Sequence, residues 1–490
     1  IRNSGLIDVR GGQLALSRAG TVGGRLQIGP GGTLELDNGN YAFDDFVQTA
    51  GQVVLTGNSP VGWRTTIQRV TELVGASFTN GGTVELRNGG DLFLDGPVTN
   101  LAGGTLTGGT WRVFGNSDLR FAGGPIVTNA ADVTLSGANS RLRSGANALE
   151  STLATNAAAG RLRILDGRDY AATANSGNFA NAGLVQLGGG TFTAGSVANA
   201  GTLEGHGAVA GPVANTGTVR ATGGTLASQP ITGLTGTVRI DAGARLDLGG
   251  TAGNSSAGVL DHQGAGLALG ANDVLVRGDY RNAAFGSGEA FDARANVTGT
   301  GRILAENAGQ AIAGSGVTNA SGANPTIALG NVRVGDTASR EVAVTNTGTL
   351  TTLRGAVQTA GATGVAVTGA GDFVLNPGQS QSLNLGFTAT RAGALDGQSI
   401  RVVNNFDNVA DQTVGLTGNA FAVANPILSA DLSFGNVRLG ERHTRTITVE
   451  NRLLPGVLAQ FQEGLNASFG SMAAGFTGSG AVTNLGAGQG

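Results

Sequence analysis

From Asn178 to Ala221 the chain repeats one short phrase three times: Asn181-Ala182-Gly183, Asn199-Ala200-Gly201 and Asn215-Thr216-Gly217. The intervals are 18 and 16 residues, and an apolar position follows each phrase, at Val185, Leu203 and Val219. A unit this short has no room for a core of its own. It must stack on its neighbours, and a turn plus a short strand recurring at such a period is how a solenoid is written in sequence.

The same style runs from residue 1 to about 250. Gly31-Gly32-Thr33-Leu34-Glu35-Leu36 and Gly81-Gly82-Thr83-Val84-Glu85-Leu86 are nearly one rung written twice, and Asn80 and Asn100 each stand shortly before a Gly. Alternation predicts Leu34, Leu36, Val84 and Leu86 inside, with the Thr and Glu residues facing water. The corners are expected to be Gly and Asn because sharp turns need φ > 0, free for Gly and tolerated by Asn. Stacked Asn side chains can also hydrogen-bond from one repeat to the next. Residues 1–250 are therefore expected to form a right-handed parallel β-helix, with a stack of antiparallel hairpins as the alternative. The stretch Ser140 to Ala159 lacks a helical apolar stripe and is expected to be an excursion from one repeat.

Composition narrows the class. Gly supplies 87 of 490 residues without a collagen period, hydrophobic residues 40% and charged residues 13%. That is too apolar and too weakly charged for a disordered chain. The net charge is −3, every cation is Arg, and no basic run exists, so a nucleic-acid footprint is missing. Cys is absent, which removes disulfides and thiolate metal sites. No apolar run reaches the ~20 residues of a membrane span. The start at Ile1-Arg2-Asn3 is expected to be a processed or truncated end.

Between 251 and 321 the rhythm weakens, and Tyr280, Phe285 and Phe291 lie close together in a chain only 5% aromatic. This stretch is expected to end and cap the solenoid, covering its open strands. Longer, more regular strands follow in 322–423: Arg340 to Asn346, Gln381 to Phe387 and Ser399 to Val403, with a turn at Asn376-Pro377-Gly378. These predict an antiparallel immunoglobulin-like β-sandwich. The module then restarts in 424–490. Gly330-Asn331-Val332-Arg333-Val334-Gly335 returns as Gly435-Asn436-Val437-Arg438-Leu439-Gly440, and Asn346 returns as Asn451, both at an offset of 105. Gly378-Gln379 returns as Gly488-Gln489 at 110, so the second module is expected to be a truncated copy.

Two pieces resemble known families. The rungs of 1–250 resemble the β-strand-repeat passengers of large bacterial surface proteins, including autotransporter and filamentous-haemagglutinin-type adhesins. The module opening at Gly330–Gly335 and again at Gly435–Gly440 resembles the immunoglobulin-like choice-of-anchor D domain, related to sandwiches of the ASPM–SPD-2–Hydin type. These resemblances imply an exported bacterial surface protein, secreted or held at the cell surface, with no catalytic residues carried over.

Candidate chemistry is sparse. Paired carboxylates serve glycan cleavage, but the adjacent pair Asp44-Asp45 would point to opposite faces of a strand, and a solvated loop is the simpler reading. His206, His262 and His443 fall in separate segments with no partner at metal-ligand spacing and read as surface or turn residues. Gly205-His206-Gly207 has the wrong spacing for a phosphate loop, and the Asp pattern of a calcium-binding repeat is missing. Thr105-Leu106-Thr107 and Thr191-Phe192-Thr193 could seed an ice-binding Thr ladder only if the pair recurred on every repeat. Asn254, Asn296, Asn319 and Asn466 start Asn-x-Ser/Thr triplets that this composition yields by chance. No catalytic, cofactor-binding or metal residue is therefore assigned and no cofactor expected. The expected role is a non-catalytic, adhesin-like structural protein whose partner is an extracellular glycan or a host or neighbouring cell surface. The alternative is a β-helix polysaccharide lyase or glycoside hydrolase.

Overall fold

A computed structural model describes residues 5–17, 20–37, 41–48, 52–56, 70–74, 78–87, 89–250, 253–318, 325–429 and 432–490. It divides into two compact units: 1–284 with 294–306, and 285–293 with 307–490. The described residues are almost wholly strand and turn, and their longest helical segments have four residues, Leu149–Thr152 and Ala174–Gly177.

In the first unit a sheet of 24 strands and another of nine are built almost entirely from parallel pairs. Parallel pairing rules out the hairpin stack, because a hairpin joins its strands antiparallel. The ladder runs through Thr202–Ala210, Thr218–Ser228, Thr237–Ile240, Ser255–His262 and Val274–Asn282 to Ile303–Ala305. Strands in register thus occupy 255–305, within the stretch expected to be a cap. Tyr280 is there a ladder residue, fully buried beside Leu260.

Register turns the period-2 alternation into columns. Val133, Leu162, Val185, Leu203, Val219, Val238, Leu260 and Tyr280 lie one above the other, none more than 4% exposed. Each such side chain contributes about 1.5–3 kcal/mol by leaving water, so this column outweighs any single polar contact. Leu34, Val84 and Leu86 are inside as predicted, while the side chain of Leu36 lies outside the described residues. Glu85 differs from expectation. It is buried at 2% exposure, and the guanidiniums of Arg87 and Arg112 hold it there.

The repeated Asn residues form a second inward column. The side-chain amide of Asn129 donates to Asn156 Oδ1 at 2.9 Å, Asn156 to Asn181 at 2.8 Å, Asn181 to Asn199 at 2.7 Å and Asn199 to Asn215 at 2.8 Å. Asn156, Asn181, Asn199 and Asn215 also give an amide hydrogen to the backbone carbonyls of Leu184, Thr202, Thr218 and Thr237. Asn156, Asn181 and Asn199 are thus buried amides with both hydrogens used, while Asn215 at the end of the column donates to Thr237 O alone. At Asn80 and Asn100 the side chain of Asn100 clasps the backbone of Asn80, accepting from its N–H at 2.7 Å and donating to its carbonyl at 3.0 Å.

The glycines of the motif have a different cause from the one expected. Gly183, Gly201 and Gly217 do not have positive φ. Instead, a Cβ on Gly201 would lie 2.1 Å from the carbonyl oxygen of Gly183, and one on Gly217 2.1 Å from that of Gly201. They are glycine because each repeat passes directly over the backbone of the one before. Left-handed Asn does occur, at Asn116 and Asn139, where true turns stack and Asn139 donates to Asn116 at 3.0 Å. Between Ser140 and Ala159 lie two short strands, the helical turn Leu149–Thr152, and strand Thr155–Asn156, which returns the chain to the Asn column.

In the second unit two sheets face each other. Gln310–Ala313, Thr337–Asn346, Ser380–Ala389 and Val365–Thr368 make one, and Thr326–Arg333, Gln412–Phe421, Gln398–Asn404, Leu353–Gln358 and Asp372–Leu375 form the body of the other. Val342, Val344, Leu385 and Phe387 from the first and Ile327, Ile400, Val402 and Leu416 from the second are all at most 1% exposed. Asn376-Pro377-Gly378 is a tight turn, with Gly378 at φ 73° and the Gln379 amide donating to Asn376 O at 2.9 Å. Phe285 and Phe291, expected in a solenoid cap, belong to this unit. Their rings sit 5.2 Å apart, and neighbouring Glu289 accepts a hydrogen bond from Thr359 Oγ1 at 2.6 Å.

The restart of the module is visible at the atomic level. Asn346 is buried, donates to Leu375 O, and its backbone is clasped by Gly378 and Gln379. Asn451 is buried, donates to Leu485 O, and is clasped by Gly488 and Gln489.

Candidate functional site

With inward positions absorbed by packing and amide ladders, chemistry is left to the outward columns. The longest reads Arg163, Gln186, Glu204, Arg220, Arg239, Asp261 and Arg281, in register on successive parallel strands. It is cross-linked by charge. Arg220 bonds Glu204 at 3.3 Å and Asp241 at 2.5 Å, while Arg239 reaches Asp241 at 2.8 Å and Asp261 at 3.6 Å. The Arg220 hydrogen bond, helped by Arg239, holds the Asp241 carboxyl down at about 2. A general acid needs the opposite shift. Three carboxylates and two guanidiniums do meet here, but on a strand face and already paired with each other.

A second outward cluster lies on Asp91–Pro97, Asp118–Ala122 and Arg141–Ser144. Register aligns Asp91 with Asp118 and Arg141, and Phe93 with Arg120 and Arg143. Arg143 forms a two-pronged pair with Asp118, and the Arg120 guanidinium lies 4.2 Å over the Phe93 ring. Burial raises the Asp91 carboxyl against the pull of Arg143, Arg141 and Arg120. Two carboxylates on adjacent strands thus sit in unlike environments, one salt-bridged and one pushed toward protonation. This pair has no signature in the sequence, because the residues are 27 positions apart and meet only through strand register.

The residues weighed from sequence do not come together. Asp44 and Asp45 stand in strand Tyr41–Gln48 rather than in a loop, and their side chains lie outside the described residues. His206 is half-buried on strand Thr202–Ala210, next to Gly224, and His443 is exposed, 3.3 Å from Glu441. His262 departs from expectation: it is fully buried in an inward column between Ile240 and Asn282, and neither ring nitrogen has a hydrogen-bond partner. The Thr pairs do not recur, since Thr191 and Thr193 align with Ala208 and Ala210, and Thr107 with Ala130. Asn319 lies outside the described residues. Among the described residues no group of three or more His, Cys, Asp or Glu is placed to hold a metal, and no helix is long and apolar enough to cross a membrane.

His262 makes stability pH-dependent. Burial pushes its folded pKa from 6.5 to about 4, against a smaller opposite pull from Asp261. Between those values the unfolded chain binds the extra proton. Stability is therefore full above pH 6.5 and falls as the pH drops toward 4, by up to about 1.4 kcal/mol per unit. Urea midpoints at pH 7 and 4.5 should differ less for His262→Leu than for the parent chain. Equal differences in both would contradict this assignment.

Residues 315–410 match the family described as Abnormal spindle-like microcephaly-assoc'd, ASPM-SPD-2-Hydin (ASH), an immunoglobulin-like β-sandwich. No curated protein matches the chain.

Proposed function

We propose that the parallel ladder of the first unit is a right-handed β-helix on an exported bacterial surface protein. The immunoglobulin-like module carries it in the manner of choice-of-anchor D and autotransporter-like proteins, and its outward columns bind an extracellular glycan or a cell surface without catalysis. The observation that carries this reading is the Glu204–Asp261 column. Its charges are fixed by mutual Arg–carboxylate pairs on a rigid sheet, an arrangement suited to presenting hydrogen-bonding groups and unsuited to proton transfer.

The test is a glycan array and a cell-binding assay on the purified chain, with sugar products monitored in parallel. Binding without product release is expected, weakened at least tenfold by Arg220→Ser with Arg239→Ser. Fractionation of the source cells with the protein in the cytoplasm would sink the proposal.

One observation favours a second reading, a glycan-cleaving enzyme. Asp91, raised by burial, and Asp118, salt-bridged to Arg143, sit in unlike environments on neighbouring strands, and acid–base cleavage of a sugar chain uses two carboxylates in unlike environments. Under it, acidic polysaccharides incubated with the chain release shorter products, and Asp91→Asn abolishes the release while the urea midpoint holds. A flat product trace across a polysaccharide panel would remove this reading.

A further inference from the structure

The two outward clusters of the first unit differ in how their charges are matched. In the Glu204–Asp261 column each guanidinium already holds a carboxylate. Arg220 holds Glu204 and Asp241, Arg239 holds Asp241 and Asp261, and Arg281, next in the column, holds Asp279 at 2.6 Å. On Asp91–Pro97, Asp118–Ala122 and Arg141–Ser144 the matching is incomplete. Arg143 takes both oxygens of Asp118, but Arg120 lies on the Phe93 ring without an ion pair among the described residues. The guanidinium of exposed Arg141 has no partner among them either.

Register puts these two cations on one face of adjacent strands. Arg120 is level with Arg143, and Arg141 is level with Asp118. One strand spacing and two residues of rise separate Arg120 from Arg141, about 8 Å between their Cβ atoms. The acceptor that suits such a guanidinium is already present on this face, since Arg143 grips a planar carboxylate through two parallel N–H bonds. Stacking on Phe93 orients the plane of Arg120 before any ligand arrives, which lowers the cost of binding.

We propose that Arg120 and Arg141 bind the carboxylates of an acidic polysaccharide, a chain of uronic acid units lying across these strands. Each guanidinium takes one carboxylate in its fork. Neighbouring strands are about 4.8 Å apart, close to the length of one sugar unit, so a sugar chain crossing the sheet meets a new strand with each residue. The inference rests on the reading of this unit as a glycan binder. It adds the charge of the ligand and the face that reads it, and it requires no cleavage.

The experiment titrates labelled polygalacturonate into the full chain at low salt, and repeats this with its methyl ester, dextran sulfate and duplex DNA. Polygalacturonate is expected to bind, the ester at least about tenfold more weakly, the worth of one charge-assisted bond. Arg141→Gln, at an exposed position, should weaken binding by about the same factor with an unchanged urea midpoint. Arg220→Ser with Arg239→Ser should leave it intact. Equal binding of acid and ester overturns the inference, as does equal binding by the parent chain and Arg120→Gln with Arg141→Gln. Dextran sulfate or duplex DNA bound as tightly overturns it too, by showing attraction to any polyanion. Neutral glycans bound while polygalacturonate is ignored overturn this inference alone, and no glycan bound at all overturns the broader reading with it.

Discussion

Asn199→Asp is expected to cost about 3–5 kcal/mol, more than any other isosteric change in the first unit. Asn199 accepts from Asn181 at 2.7 Å and donates to Asn215 Oδ1 at 2.8 Å and Thr218 O at 3.0 Å, with 1% of its surface exposed. A carboxylate keeps the acceptor role and loses both donors, so two oxygens that received hydrogens would face negative charge in a dry interior. Asn199→Ala, which leaves one donor and two acceptors unmet, should cost about 1–3 kcal/mol for a group left unsatisfied. The two variants separate by pH. Burial raises the introduced carboxyl above its unfolded value of about 3.9, so the penalty of Asn199→Asp grows as pH rises past that value. Protonation restores one donor at low pH. Urea midpoints at pH 4 and pH 8 read this directly, and an unchanged gap between the Asp and Ala variants would contradict the ladder.

Gly201→Ala should be nearly as damaging, above about 3 kcal/mol, for a steric reason. The new methyl would meet three backbone atoms, Gly183 O at 2.1 Å and the carbonyl carbon and oxygen of Ala182 at 2.5 and 2.6 Å. Backbone cannot rotate aside as a side chain can, so relief requires prying two repeats apart. Gly243→Ala is the control. Its φ is 76° and nothing lies within 4 Å, so only the left-handed penalty of about 1–2 kcal/mol applies. If the two substitutions lower the thermal midpoint equally, close approach does not explain the motif.

Those two residue types mark where sequence reasoning reached and where it stopped. The Asn-to-Asn bonds at Asn181, Asn199 and Asn215 were legible because spacing alone stacks them. Asn129 and Asn156 were not, since Ala follows each where the motif has Gly; at Asn156 the glycine comes four residues on, at Gly160. The pattern alone points the glycines to turns, because a contact between repeats has no signature inside one repeat. Glu85 follows the alternation rule for an outward residue and is buried all the same, because Arg87 and Arg112 fold over it. The opposite holds for His262, whose position follows the inward alternation of its strand while its side chain suggests the surface. Asp91 and Asp118 came together only through register. In the second unit the offset of 105 located the repeated Asn clasp. It could not show that 432–448 would lack strand structure, which depends on partners rather than on the segment itself.

The amide ladder has one more consequence, for how the molecule comes apart. It runs from Asn129 to Asn215 and stops where register brings Gly233 over Asn215, since Gly has no side-chain amide to continue it. Opening an inner repeat breaks bonds above and below, whereas opening the last breaks them on one side. Nearest-neighbour coupling of this kind makes the five-Asn segment a single cooperative block whose losses begin at its ends. Amide exchange should then report one shared opening free energy across Asn156 to Asn199, with a step down beyond Gly233.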